Sequence, residues 1–410
     1  MIAPESGSAG GAATTGTGRV GNVDVLRAVA ALAVLAGHAY ALGGRAVPIK
    51  AQRWYDVPLL TTATGVWLFF GISGYVISRP FVDALLTGRP LPALVPYALR
   101  RAFRIFPLYW IALTAVIVIA GAAGTRVWQF PFHFLLLNNL IPGREEALFS
   151  VAWTLTLEVL FYMAVPALAI AVRELRGAVT AERLALMVIG LWAASIVFTV
   201  LGDLHGDDQT GLWLRGSFPA MWQMFCPGIL LAIAPHLRAP SWRRWLIEAP
   251  ARRAAIVVVG VTVVVGALLN AAAPLRFGVV DYQLLVDASR PLFAVGYGLV
   301  IAAAIRVRPW GRRAPWMLQL GLVSYGIYLL HAVMLDFLLT GSGRDLIPIG
   351  HDTLIAYVVH LAFLAAVTIV LSLASWRWLE SPSIALGVSL GRGWARTHAE
   401  AGPTRRTNPQ

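Results

Sequence analysis

Two histidines and one glutamate stand at spacings that would bring them to similar depth in a helical bundle. His38 follows Arg27 by eleven residues in VDVLRAVAALAVLAGH, and Asp24 lies three before Arg27. Eleven residues return to nearly the same helix face, about 16 Å further along. Asp24 and Arg27 can pair on that face. In WTLTLEVLFY, Thr154, Glu158 and Tyr162 follow i, i+4, i+8 and make one polar stripe. In SYGIYLLH, Ser324, Tyr328 and His331 follow i, i+4, i+7. Histidine is the side chain suited to take and return a proton near neutral pH, and a neighbouring carboxylate can orient or charge-balance it. A fourth group is RRAFRIFPLYW, where Arg101 and Arg104 share a helical face. A guanidinium presents a fork that matches phosphate oxygens. Each group also has a plain structural use: a snorkelling arginine, an interhelical hydrogen bond, a headgroup contact. Ser73, with Gly71 and Gly74 in FFGISGY, equally suits close helix packing.

The elements that must hold these residues are membrane helices. The 410 residues are 58% hydrophobic and 13% charged, where soluble domains carry about 25% charged residues. That excludes an ordinary soluble enzyme and a disordered chain. An ionisable group inside such spans is expensive and marks a functional position. Ten apolar runs are long enough, near 22–42, 58–78, 107–124, 150–172, 184–202, 214–235, 254–273, 287–305, 318–340 and 354–376. Net charge is +13, and the 33 basic residues include one lysine, Lys50. With the N-terminus inside, 23 of them fall in inner segments and nine, Arg215 and Arg290 among them, in outer ones. The positive-inside rule thus supports an all-α polytopic membrane protein of about ten helices, both termini cytoplasmic, in the plasma membrane. The basic balance follows from topology, and no nucleic acid is expected.

Leu91–Phe106 reads as an amphipathic helix on the inner face. Trp128–Leu140 is too short to span and reads as re-entrant or interfacial. Residues 1–18 lack the charged n-region of a signal peptide and read as a disordered tail. The core runs from 19 to 382, and 383–410 is a basic cytoplasmic tail, disordered from Gly391. Cys226 is the one cysteine, so no internal disulfide or thiolate metal cluster is expected. No internal repeat is visible, against the inverted-repeat pattern of many transporters. A positive inner mouth below a His/Glu/His cluster suits a phosphorylated donor meeting a general base. It also suits a proton-coupled transporter. Spacing alone does not separate the two.

Six motifs in order resemble the acyltransferase 3 family of integral membrane acyltransferases. Arg27 and His38 are similar to its Arg-x10-His signature, and Phe69–Tyr75 to its FF-x-[IVL]-S-G-[FY] segment. Arg101-x-x-Arg104 with Pro107, Tyr109 and Trp110 resembles its RxxR-x-x-P-x-Y-W segment. Trp153–Tyr162, Ser324–His331 and Glu380-Ser381-Pro382 resemble its W-[ST]-L-x-x-E-x-x-F-Y, S-Y-x-x-Y-L-x-H and E-x-P motifs. Ala152-Trp153-Thr154-Leu155 stands where many members have Ser-Trp-Ser-Leu.

The resemblance implies an acyl-coenzyme A-dependent O-acyltransferase, usually with acetyl-CoA as donor, acting on a sugar, glycolipid, polysaccharide or glycosylated metabolite. His38 would be catalytic, with Glu158 and His331 beside it. Arg27, Arg101, Arg104, Ser73, Ser324, Tyr328 and Trp153 would line the substrate site. No metal and no permanently bound cofactor is expected. Some members carry an additional C-terminal hydrolase-like domain. None follows span ten here, so acceptor choice is expected to rest on the membrane core, outer loops or a partner. The acceptor and the oligomeric state are left open by the sequence.

Overall fold

The apolar runs become helices, because a lipid-facing backbone must satisfy its polar groups within its own segment. The computed structural model describes residues 17–42, 59, 62–121, 127–140, 148–176, 178–206, 208–238, 256–265, 282–305, 315–340 and 354–400. Among them there is no strand. The long helices are α1 (Thr17–Leu42), α2 (Gly65–Thr87) and α3 (Leu94–Ala120), then, after the short α4 (Phe130–Phe134), α5 (Ala152–Arg176) and α6 (Ala181–Leu204). Three short helices follow: α7 (Gln209–Gly216), α8 (Phe218–Met221) and α9 (Cys226–Ile233). The rest are α10 (Ile256–Val265), α11 (Tyr282–Ala304), α12 (Pro315–Leu322), α13 (Ser324–Thr340), α14 (Leu354–Ser375) and α15 (Ser381–Glu400).

Six of these helices are long and apolar enough to cross a membrane, or eight if each of two bent pairs is one span. The bends are 50° between Phe218–Met224 and Cys226–His236, and 65° between Pro315–Leu322 and Ser324–Leu338. The chain is a multi-pass membrane protein. Tyr282–Ala304 is a 23-residue helix outside the set of six, and it carries Asp287 and Arg290. The first expected tail, residues 1–18, lies almost wholly outside the described residues, as do most of the loop arginines used to assign sides.

Hydroxyls inside the spans bond back to their own helix, as Thr114 to the Trp110 carbonyl (2.7 Å) and Ser372 to the Thr368 carbonyl (2.7 Å). Their polar groups are thereby satisfied without water. At ordinary helix ends Thr180 and Asp208 accept from the backbone N–H of Arg183 and Gly211, and Gly88 ends α2 at φ 71°.

Several sequence expectations change. Leu91–Phe106 is not a separate interfacial helix, since α3 runs unbroken through Pro107. Proline costs one backbone bond there, and packing on both sides compensates. The chain beyond Gly391 is not disordered as far as Glu400: α15 packs along α3. A methyl group at Gly387 would crowd Phe103 and the Leu99 carbonyl and force a shift, and one at Gly391 would sit tightly against Pro96. Two glycines four apart let the backbones approach in this way. Span nine is broken at Val323. The segment Trp128–Leu140 does form short non-spanning turns, and the Tyr109 hydroxyl (2.7 Å) and Trp110 indole N–H (2.9 Å) cap its carbonyls at His133 and Phe134.

Arg215 and Arg290, counted with the outer segments from the sequence, are buried against buried Asp287 and half-buried Asp203. Arg290 pairs with Asp287 and donates to the Arg215 carbonyl at 2.8 Å. This network ties α6, α7 and α11 together. Its sequence signal was Asp287-x-x-Arg290, an i, i+3 pair.

The centre of the bundle is α2, which packs on α1, α5, α9 and α11. Its glycines make that possible. A methyl at Gly228 would overlap the Gly71 carbonyl, and one at Gly74 would overlap the Phe225 carbonyl. Gly228→Val is therefore expected to destabilise the protein by about 1–3 kcal/mol or more, through forced separation of two backbones. A thermal melt in detergent checks this; an unchanged midpoint would refute the contact.

Candidate active site

A partly open cleft of about 70 Å³ lies between α1, α2, α3, α5 and α13. Arg27, Arg101, Arg104, Ser73, Glu158 and Ser324 line it, with Thr154, Tyr162 and Tyr328. Seven of the expected site residues therefore share one cavity, brought together from five helices. The glycines flanking Ser73 seat α2 on α9, and Ser73 turns the other way and donates to Glu158 Oε1 at 2.9 Å. Tyr162, one turn below on α5, donates to the same oxygen at 2.6 Å. Two hydroxyl donors thus meet on one carboxylate oxygen. The second oxygen, Oε2, receives neither of these bonds.

The arginines are the other half of the cleft. Arg101 lies over the rings of Tyr97 (5.7 Å) and Tyr162 (5.3 Å), so two aromatic faces hold its plane. The Arg27 and Arg101 Nε–H groups are buried and have no hydrogen-bond partner. Arg27 is within electrostatic reach of Arg104, Glu158 and Asp24. Three cations against the one carboxylate lining the cleft leave it positive, and buried guanidinium N–H groups without acceptors call for an anion. Ser324 adds to this. It opens α13 at the break from α12, is fully buried, and its hydroxyl has no partner. A helix N-terminus carries partial positive charge.

His38 and His331 meet each other. His38 Nδ1 lies 2.9 Å from His331 Nε2, with the rings stacked at 5.2 Å. His331 is fully buried, and its Nδ1 lies 3.1 Å from the Ile327 carbonyl. A carbonyl only accepts, so the network assigns the His331 proton to Nδ1. Its Nε2 is then an acceptor, and His38 must donate from Nδ1. The neutral pair thus leaves the lone pair of His38 at Nε2. A base whose tautomer is set by a second group, itself fixed by a third, has the logic of a catalytic triad.

The histidines do not line the cleft itself. Tyr328 connects the two parts: its ring is 5.8 Å from that of His331 and 6.0 Å, edge-on, from Phe69. The Thr154 hydroxyl donates to the Val151 carbonyl (2.9 Å), so the short 2.5 Å contact to Tyr328 has the tyrosine as donor. Trp153 is half-buried against the main core and does not line the cleft. The sequence reading missed the tyrosine clamp on Arg101, although Tyr97 stands four residues before it on α3. It also missed the break before Ser324, which no glycine or proline marks at Val323.

Among the described residues no cluster of three or more His, Cys, Asp or Glu could hold a metal ion. No solved structure matches the chain. Nodulation protein 10 of Rhizobium leguminosarum bv. viciae is 26% identical over 398 residues, covering 91% of this chain and 96% of that protein. The family model of the acyltransferase domain of the acyltransferase 3 type matches residues 20–377. A match over most of the chain, together with the six motifs and the cleft they build, makes this protein a member of the acyltransferase 3 family and an acyltransferase enzyme.

Proposed function

We propose that the protein moves an acyl group, acetyl being the simplest, from acyl-CoA to a hydroxyl of a sugar, glycolipid, polysaccharide or glycosylated metabolite. The observation that carries this reading is the cleft with three arginines and unpartnered guanidinium N–H groups, one aromatic ring away from a histidine pair with a defined lone pair. CoA is a polyphosphate with a long flexible arm, and arginine forks suit its phosphates. The arm rises from Arg27 to His38, about 16 Å along α1. The thioester passes Tyr328 and Phe69 to reach the histidines. His38 Nε2 removes the proton of the acceptor hydroxyl as that oxygen attacks the thioester carbonyl. The C–S bond breaks, and the CoA thiolate takes the proton back from His38. His331 shares the positive charge on His38 during the step. Ten spans, with both termini in the cytoplasm of a cell whose plasma membrane holds the protein, would place the arginines on the side where acyl-CoA is found.

The test is radiolabelled acetyl-CoA with purified protein in detergent. Release of free CoA, or label on the protein, above a boiled control supports the donor assignment. No binding and no turnover would reject it and turn attention to proton-coupled flux in vesicles, the behaviour of a transporter or flippase.

A further inference from the structure

α5 and α6 are consecutive and joined by a short turn, yet they do not pack along their length. Between them lie two adjoining hollows, of about 400 and 450 Å³, which share Leu168, Leu191 and Trp222 as walls. Together they form one trough, floored by Trp222 and Ile229. The linings include two hydroxyls, and both are spent on backbone: Ser78 on the Gly74 carbonyl, Ser195 on those of Pro219 (2.7 Å) and Ala220 (2.8 Å). The trough is therefore almost wholly apolar, with the unpartnered indole N–H of Trp222 as its remaining polar group. From Leu184 to Phe198 on α6 it runs about 21 Å at 1.5 Å per residue, longer than the ~15 Å half-thickness of a bilayer core. A Cβ added at Gly190 would meet nothing within 4 Å, so the space there is open.

One end is basic. Arg183, Met187 and Gly190 follow i, i+4, i+7 on the α6 face that lines the trough. Arg173 sits beside the lining residue Val172 on α5, anchored at the rim by bonds to the Ala84 and Arg89 carbonyls. The nearby carboxylate of Glu182 faces away to the Arg238 backbone N–H, at 3.1 Å. An amphiphile with an anionic head and a long tail fits both features at once.

We propose that this trough is a binding site for one anionic phospholipid, its phosphate against Arg183 and Arg173 and one acyl chain lying between α5 and α6. The site is separate from the cleft and rests only on the chain spanning a bilayer, so it stands whether or not acyl-CoA is the donor. Lipid bound there would fill the gap that holds the two helices apart.

Native mass spectrometry of detergent-purified protein titrated with phosphatidylglycerol and phosphatidylcholine tests it. Wild type should retain one phosphatidylglycerol at least fivefold more strongly than phosphatidylcholine. Gly190→Trp, which fills the open space, should lose that retained lipid, and Arg183→Gln should bring the two lipids to within twofold. Equal retention of both lipids by wild type, or unchanged retention by Gly190→Trp, would overturn the proposal. If Gly190→Trp does not fold, phosphatidylglycerol brominated on its chain should quench wild-type fluorescence more than that of Trp222→Phe. Equal quenching would overturn it as well.

Discussion

Replacing His38 with alanine should lower kcat for acyl-CoA turnover by about 10²–10⁴, the range contributed by a positioned general base, with donor KM little changed. The reason lies in how His38 is held. Its Nδ1 is committed to His331 at 2.9 Å, and His331 is committed to the Ile327 carbonyl at 3.1 Å. Only Nε2 remains to accept a proton. His331→Ala should cost less, about 10- to 150-fold, the worth of one hydrogen bond to a charged group. That variant keeps the base and loses what orients it. Steady-state release of CoA from acetyl-CoA measures both. A His38→Ala enzyme within threefold of wild type would remove His38 from the chemistry, and His331→Ala falling as far as His38→Ala would make the two one unit.

The second large effect is expected on donor binding. Each charge-assisted bond is worth about 1.5–3 kcal/mol, so Arg101→Ala and Arg104→Ala should each weaken CoA binding about 10- to 150-fold. Arg101→Lys should be nearly as weak as Arg101→Ala. A lysine keeps the charge but loses the planar fork that Tyr97 and Tyr162 hold by their faces. Calorimetric titration with CoA gives the affinities. Binding within threefold of wild type in the Arg101→Ala, Arg104→Ala double variant would mean the cleft holds a different anion.

Much of the site was legible in the chain because periodicity survives folding. The stripe Thr154, Glu158, Tyr162 does face one cavity, and Ser324 and Tyr328 face it from α13. An i, i+4 spacing fixes a helical face whatever the helix later packs against. A charge count misplaced Arg215 and Arg290, because it treats an arginine near the end of an apolar run as solvated. Arg215's carboxylate partners, Asp203 and Asp287, are distant in sequence, and the local Asp287–Arg290 pair is shown to be buried only by packing. The start of α3 was misjudged for a related reason. Leu91–Phe106 is amphipathic by composition, but its basic face turns into the cleft and the C-terminal helix α15 covers another side.

The sequence by itself determined that this is a helical membrane protein of the acyltransferase 3 family, which residues carry charge into the bilayer, and which of them share a face. The family follows from six motifs in order, and the other properties from composition and from the fixed geometry of one helix. The tertiary structure alone decided that His38 and His331 touch, that Ser73 and Tyr162 converge on a single oxygen of Glu158, and that the arginines face a common cleft. Such contacts depend on the rotation and depth of one helix against another. Small residues such as Gly71, Gly74 and Gly228 set those quantities through backbone approach, and no spacing along a single chain encodes them.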